Sequence, residues 1–184
     1  FFFFQGFSVL VAQDTTTYVV VKGIKVIGNK TTKGSIILRE ISFNVYDTIS
    51  TRYLSRELER VRNNLLNTSL FNFVTVDPVY FDNQNISIFI TVEERWYLWP
   101  IPIFEIQESN FNTWWLEKDF DKANYGLYLT KENFRGKKEI FSLLLQGGYT
   151  EKLGVKYVIP YVNKRKTNGL DLMVSYSRNR EITY

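Results

Sequence analysis

The sequence predicts an α+β domain over residues 17–95, then the first strands of an antiparallel transmembrane β-barrel over residues 96–184. Three observations lead there. Up to residue 95, strand-like alternation and helix-like spacing succeed one another, as in a small α+β domain. Beyond residue 96 the helical spacing disappears. Segments of about ten residues there alternate apolar with polar side chains, the pattern of strands in a membrane barrel. Aromatic residues make up 17% of the chain, mostly 15 Phe and 12 Tyr. Tyr and Trp favour places with one apolar and one wet end, such as bilayer interfaces. The stretch Val92-Glu93-Glu94-Arg95-Trp96-Tyr97-Leu98-Trp99-Pro100-Ile101-Pro102 divides the two kinds of sequence.

Composition narrows the chemistry. The chain has 184 residues, with 23 Lys+Arg against 19 Asp+Glu. Residues 1–95 hold 10 basic and 9 acidic side chains, and residues 96–184 hold 13 and 10. Positive charge is nowhere concentrated, so no nucleic-acid partner is expected. Cys and His are absent, which excludes the usual zinc sites, Cys nucleophiles and Ser-His or Cys-His pairs. There is no glycine loop of Walker or Rossmann type. Glu93 and Glu94 are adjacent, so on a strand they point to opposite faces and do not share one substrate. Asp119 and Asp121 fall in a Lys-rich loop. No catalytic residue, cofactor or metal is expected, and the chain does not read as an enzyme.

The N-terminal run Phe1-Phe2-Phe3-Phe4-Gln5-Gly6-Phe7-Ser8-Val9-Leu10-Val11-Ala12 is too short to span a bilayer. It reads as the apolar part of a secretory signal peptide cleaved near Ala12, leaving residues 1–13 as its remnant. The alternative is a buried first strand. The initiating Met and the basic leader region are missing, so a fragment is expected at this end. No Cys follows, which disfavours a lipid anchor.

Tyr18–Ile27 alternates and is rich in β-branched residues, which predicts a strand. A turn over 28–32 follows, with Thr32 as the expected helix N-cap. Ile36, Ile37 and Ile41 predict a short helix over 33–40. Leu54, Leu58, Val61 and Leu65 form one apolar stripe and predict a second helix, ended by Asn67-Thr68-Ser69. Arg52, Arg56, Arg60 and Arg62 lie mostly off that stripe, on a solvated face. Phe71–Tyr80 predicts a strand, and Asp82-Asn83-Gln84-Asn85 a turn. Ile86, Ile88, Ile90 and Val92 then alternate with Ser87, Phe89 and Thr91. The expected order is strand, helix, helix, strand, strand, with both helices on one face of a three-stranded sheet.

This order and these residues resemble a POTRA domain, the periplasmic module of the BamA/TamA outer-membrane assembly superfamily. The marks are Ile24-Lys25-Val26-Ile27-Gly28-Asn29 with Thr31, then Ile37 with Arg39-Glu40, then Phe43 and Asp47. Leu70-Phe71 with Val74, and Val92-Glu93-Glu94-Arg95, complete the set. Tyr46 stands where the family usually has Gly, so the turn before Asp47 is expected to be built differently.

In the second region Phe141, Leu143, Leu145, Gly147 and Tyr149 share one face of a segment. Leu153, Val155, Tyr157, Ile159 and Tyr161 share one face of the next, and Leu170, Leu172, Val174 and Tyr176 of a third. Ser142, Gln146, Gly148 and Thr150, then Gly154 and Lys156, then Asp171, Ser175 and Ser177 lie opposite. About five strands fit, near 97–107, 124–133, 138–149, 152–162 and 168–180. The alternative is one face of a soluble β-sandwich. Asn133-Phe134-Arg135-Gly136 looks like the Asn-aromatic-x-Gly turn of the superfamily's barrels, with Lys138 where a second Gly is frequent. Tyr157-Val158-Ile159-Pro160-Tyr161 resembles a strand end of the same barrels, before a periplasmic turn holding Lys164-Arg165-Lys166. A barrel in lipid has to close, so further strands are expected beyond Tyr184. One such domain directly before the barrel looks like the short single-POTRA members of Bacteroidota.

The resemblance implies an outer-membrane barrel with its POTRA domain in the periplasm. Its implied partners are the lipid bilayer, unfolded outer-membrane or secreted client proteins, and periplasmic chaperones. The strand after the helices is expected at a sheet edge, open to strand addition through Asn72, Phe73, Val74, Thr75, Val76, Val79 and Tyr80; an edge that binds nothing is the alternative. Glu94, Arg95, Trp96, Tyr97, Pro100 and Pro102 form the expected hinge and seam. Residues two apart in a strand send their N–H groups to one side, so both prolines open gaps on one edge. That edge is either a weak barrel seam or, if no strand forms, a polyproline-like linker. The leading function is assembly of outer-membrane proteins by strand capture and handover. The rivals are a two-partner-type secretion channel for a dedicated client, and a structural or adhesive surface barrel.

Overall fold

In the computed structural model, residues 17–106, 112, 123–163 and 167–179 are described. The apolar N-terminal run, the pair Asp119 and Asp121, and Lys164-Arg165-Lys166 lie outside them.

The first unit is built on β1 (Tyr18–Ile27), α1 (Gly34–Leu38), β2 (Thr48–Ser50), α2 (Thr51–Asn67), β3 (Phe71–Tyr80) and β4 (Asn85–Glu94). Its sheet has the order β2-β1-β4-β3, with β1 and β4 parallel and the other pairs antiparallel. The expected sheet of three strands therefore has a fourth. β2 is only three residues long and pairs Thr48–Ser50 with Tyr18–Val20. A segment that short carries no readable alternation, so the sequence did not reveal it. Helix spacing placed α2 well: Leu54, Leu58, Val61 and Leu65 are its buried residues. They pack with Val19 and Val21 of β1 and with Ile86, Ile88, Ile90 and Val92 of β4, forming one core. The alternation of β4 matches that burial, because successive side chains of a strand point to opposite faces.

Two local expectations are corrected. The N-cap of α1 is Lys33, and its side chain makes no capping bond. Thr32 is instead 2% exposed and turned toward the barrel. Arg62 is not on a purely solvated face, because its Nε donates to Val74 O at 3.3 Å.

The second unit is one antiparallel sheet in the order β5-β6-β7-β8-β9. Its strands are β5 (Leu98–Ile106), β6 (Ala123–Phe134), β7 (Glu139–Gly148), β8 (Thr150–Ile159) and β9 (Leu170–Asn179). Directly paired residues share a face, so register tests the expected sidedness. Leu129, Leu143, Val155 and Val174 line up, as do Leu127, Leu145, Leu153 and Tyr176. One apolar band crosses four strands. Behind it run Thr130, Ser142 and Lys156, and Gln146, Lys152 and Ser177. Several band residues on strands paired on both sides are exposed, Leu153 by 50% and Leu145 by 44%, the state expected of side chains that face lipid. Tyr125 lies over Gly147, where a Cβ would sit 3.6 Å from the Tyr125 ring. Gly126 lets β6 and β7 approach closely, since a Cβ there would meet Leu145 O at 2.2 Å.

Candidate functional site

β3 ends the first sheet and pairs only with β4 among the described residues. Phe81 N–H donates to Asn85 O at 2.9 Å. That fixes the parity of the ladder: odd residues of β3 bond β4, and even residues send N–H and C=O to the open side. Val74, Val76, Pro78 and Tyr80 therefore face outward with their backbone. Val74 O is taken by Arg62, and Pro78 has no N–H to offer. Val76 and Tyr80 keep both groups directed at the open edge. Of the expected edge residues, Phe73, Thr75 and Val79 direct their backbone to β4, and Asn72 lies in the register shift between Phe71 and Phe73. Phe73 is 67% exposed and contributes an aromatic surface rather than a backbone contact.

β5 is likewise an end strand. It pairs with β6 across Pro100 and Pro102, opposite Leu129 and Leu127. Glu132 N–H donates to Tyr97 O at 2.8 Å. By the same parity, odd residues of β5 bond β6 and even residues face the open side. Both prolines thus place their missing donors on the edge away from β6, and their carbonyls remain there as acceptors. The backbone here is a paired strand, not a polyproline-like linker.

The two units are joined by a tight polar junction. The Glu94 carboxylate accepts from Thr31 N–H at 3.0 and 2.9 Å and from Thr32 N–H at 2.6 Å. Burial pushes this carboxyl up, but the Thr31 and Thr32 donors outweigh it and hold the pKa below the usual carboxylate range. Tyr97 is buried, and its hydroxyl donates to Leu70 O at 2.7 Å. Burial, reinforced by the nearby Glu94 charge, raises its pKa. Asn133, 1% exposed, donates from Nδ2 to Thr32 Oγ1 at 2.8 Å. Its Oδ1 accepts from Lys138 N–H at 3.0 Å, closing the β6–β7 turn. Lys33 N–H donates to Gly136 O at 2.9 Å. A Cβ on Gly136 would lie 2.2 Å from Thr31 O, so this turn seats directly on the loop before α1.

Further braces flank this core. Arg95 donates from N–H to Leu70 O at 3.2 Å and from Nη1 to Ser69 O at 3.1 Å, and pairs with Glu132 at 3.4 Å. Arg39 of the first unit sits 5.3 Å from the Tyr161 ring of the second. Trp96 is 67% exposed, and its indole N–H bonds Leu98 O. A cleft of about 490 Å³ opens beside it, lined by Leu66, Ser69, Phe71, Asn72, Arg95, Trp96 and Trp99. It therefore lies between the start of the β3 edge and the start of the β5 edge.

Sequence reasoning named Glu94, Arg95, Trp96 and Tyr97 at the junction but missed that Thr31 and Thr32 bond Glu94, that Asn133 bonds Thr32 and that Gly136 bonds Lys33. The Asn-x-x-Gly turn was a usable signal: two polar or small residues in fixed spacing mark a turn that something else packs against.

The POTRA family model, described as a surface antigen variable number repeat, matches residues 19–95. No curated protein matches the chain. Among solved structures, BamA from Haemophilus ducreyi lacking POTRA domains 1-3 aligns with a TM-score of 0.62 at 18% identity, covering 88% of this chain and 28% of that one. CdiB from Acinetobacter baumannii aligns with a TM-score of 0.40 at 13% identity, covering 76% of this chain and 25% of that one. The chain thus spans about a quarter of the length of each structure. Residues 19–95 match the POTRA family model, and the strands that follow are similar in fold to those of the BamA structure.

Proposed function

We propose that this chain belongs to an outer-membrane protein that assembles other proteins into that membrane, with the POTRA domain in the periplasm. An extended client strand adds to the open edge of β3 through Val76 and Tyr80, and passes to the open edge of β5. The observation that carries this reading is the edge of β3, free of a strand partner among the described residues beyond β4, with a cleft at its start beside Trp96 and Trp99. An open edge is a template for strand addition. Here Arg95, Trp96 and Trp99 sit where a strand leaving one edge reaches the other. The prolines weaken the seam on which the client acts. Each donor missing at Pro100 and Pro102 forgoes a hydrogen bond worth about 1 kcal/mol net. No nucleotide or metal enters the mechanism; the driving force is the burial of client apolar surface in lipid.

Quantitative outer-membrane proteomics after depletion of the intact protein tests this. Loss of many unrelated barrels is the expected result. Loss of one secreted protein with all barrels intact contradicts it and indicates a dedicated secretion channel. An unchanged membrane indicates a structural or adhesive surface barrel.

A further inference from the structure

The β6–β7 turn gathers cations that lie far apart in the sequence. Lys30 and Lys33 flank the pair Thr31-Thr32, and Arg135 and Lys137 flank Gly136. The bond from Lys33 N–H to Gly136 O, and the close approach of Gly136 to Thr31 O, set these two segments against each other. All four basic residues are exposed. Two carboxylates lie among them, and both are occupied. Glu94 accepts from the Thr31 and Thr32 N–H groups. Glu139, 3% exposed, accepts from Nε and Nη2 of Arg135 at 2.9 Å each. Among the described residues no ion pair engages Lys30, Lys33 or Lys137. The fold thus creates a positive patch that the charge pattern of the sequence does not show. β6 and β7 are each paired on both sides, so the turn between them lies within the sheet and not at its end.

The face that adjoins this patch fixes its height on the barrel. The apolar row Leu129, Leu143 and Val155 is followed, two residues nearer the POTRA domain, by Lys131, Phe141 and Tyr157. Phe134 stacks on Phe141 with ring centres 5.4 Å apart and meets Tyr157 edge-on at 5.9 Å. The Arg135 guanidinium lies 5.6 Å from the centre of the Tyr157 ring and bonds its hydroxyl. From Leu143 to Glu139 the face therefore changes from aliphatic to aromatic to cationic, over roughly 14 Å at about 3.4 Å per residue. A bilayer changes in the same order, from hydrocarbon through the aromatic-rich interface to the headgroups. Lys131 stands in the aromatic row, where a long basic side chain keeps its stem in the apolar layer and its charge among headgroups. We infer that Lys30, Lys33, Lys131, Arg135 and Lys137 form a binding site for anionic phospholipid headgroups in the leaflet facing the POTRA domain. Both carboxylates of the patch are already bonded, so it favours a phosphate over the ammonium of a zwitterionic headgroup. Lys33 and Lys137 come from different units, so a headgroup bound between them ties the joint to the membrane surface. This inference rests on the proposed outer-membrane reading and adds the lipid chemistry that the joint takes.

Native mass spectrometry of the intact protein in a non-ionic detergent, titrated with phosphatidylglycerol or with phosphatidylcholine, reads the affinity for the first lipid bound. Phosphatidylglycerol is expected to bind about tenfold more tightly than phosphatidylcholine. Lys33→Gln and Lys137→Gln are each expected to weaken phosphatidylglycerol about fivefold and to leave phosphatidylcholine unchanged. Both side chains are exposed, so both variants keep the fold. Arg56→Gln removes the same charge from the exposed face of α2 and is expected to change neither affinity. Equal affinity for the two lipids, or an equal loss in Arg56→Gln, overturns the inference and leaves the membrane reading standing. Displacement of phosphatidylglycerol by millimolar inorganic phosphate assigns the site to the free anion and overturns it as a lipid site. Flotation of the same protein with phosphatidylcholine vesicles checks the membrane reading separately, and failure to float overturns both.

Discussion

Tyr46 has φ +74°, a left-handed conformation that costs a residue with a Cβ about 1–2 kcal/mol. The superfamily resemblance puts glycine there, and the positive φ of Tyr46 is a conformation that glycine adopts without strain. Its N–H donates to Val21 O at 2.7 Å, and Lys22 stands over its ring at 5.8 Å. Lys138, the other departure from a glycine, has φ +64° and repeats the pattern. Tyr46→Gly is therefore expected to be more stable than Tyr46→Ala by about 1 kcal/mol, measured by thermal unfolding. A lower stability for the glycine variant would show that Tyr46 is not strained. Gly136→Ala is expected to destabilise by at least about 1–2 kcal/mol, because its Cβ collides with Thr31 O at φ +70°. Gly34→Ala, with nothing within 4 Å, serves as the tolerated control. Glu94 has a depressed pKa in the folded state, so its stabilisation is present at neutral pH and is lost as pH falls through the folded pKa. Melting temperature is expected to fall between about pH 5 and about pH 2 more in the wild type than in Glu94→Gln. Equal slopes would remove Glu94 from the junction's energetics.

At the scale of elements, ladder parity separates two substitutions on one strand. Val76→Pro deletes an N–H that faces the open edge, so the β3–β4 ladder stays intact. Thr75→Pro deletes one that bonds β4, and is expected to cost roughly 1–3 kcal/mol more through the unsatisfied Thr91 partner. Denaturant unfolding of both variants measures the difference, and comparable losses would refute the parity. The same contrast shows what the sequence could and could not convey. α2 and β4 were legible because each repeats one period over ten or more residues. Barrel strands were legible too, since the bands through Leu143 and Leu145 alternate apart from Leu144. β2 was not, being three residues long. The partners of Glu94 were not either. Thr31 and Thr32 lie more than sixty positions away, and no local period encodes a contact across that distance. Thr32 as a helix cap was a sound local expectation that a tertiary contact overrode. Its Oγ1 is engaged by Asn133 of the barrel turn instead.

Taken whole, the described residues present a braced joint between two sheets, with β3 at the edge of the first and the proline-bearing β5 beginning the second. The brace matters for handover: Glu94, Tyr97 and Asn133 fix the first sheet against the barrel, so the two edges keep their relation while the client moves. Loosening the joint with Gly136→Ala is expected to weaken client transfer more than client capture. The most direct test uses the absence of native cysteines. Single cysteines at Thr75, on the POTRA edge strand, and at Phe104, on the barrel edge strand, are each paired with one cysteine walked along the strands of an unfolded outer-membrane protein. A strand capture and handover mechanism gives disulfides at both sites from the same client strand, first at Thr75 and later at Phe104, with Val76→Pro abolishing both. Disulfides at Phe104 that form at full rate in Val76→Pro, or none at Thr75 at any time, would contradict it.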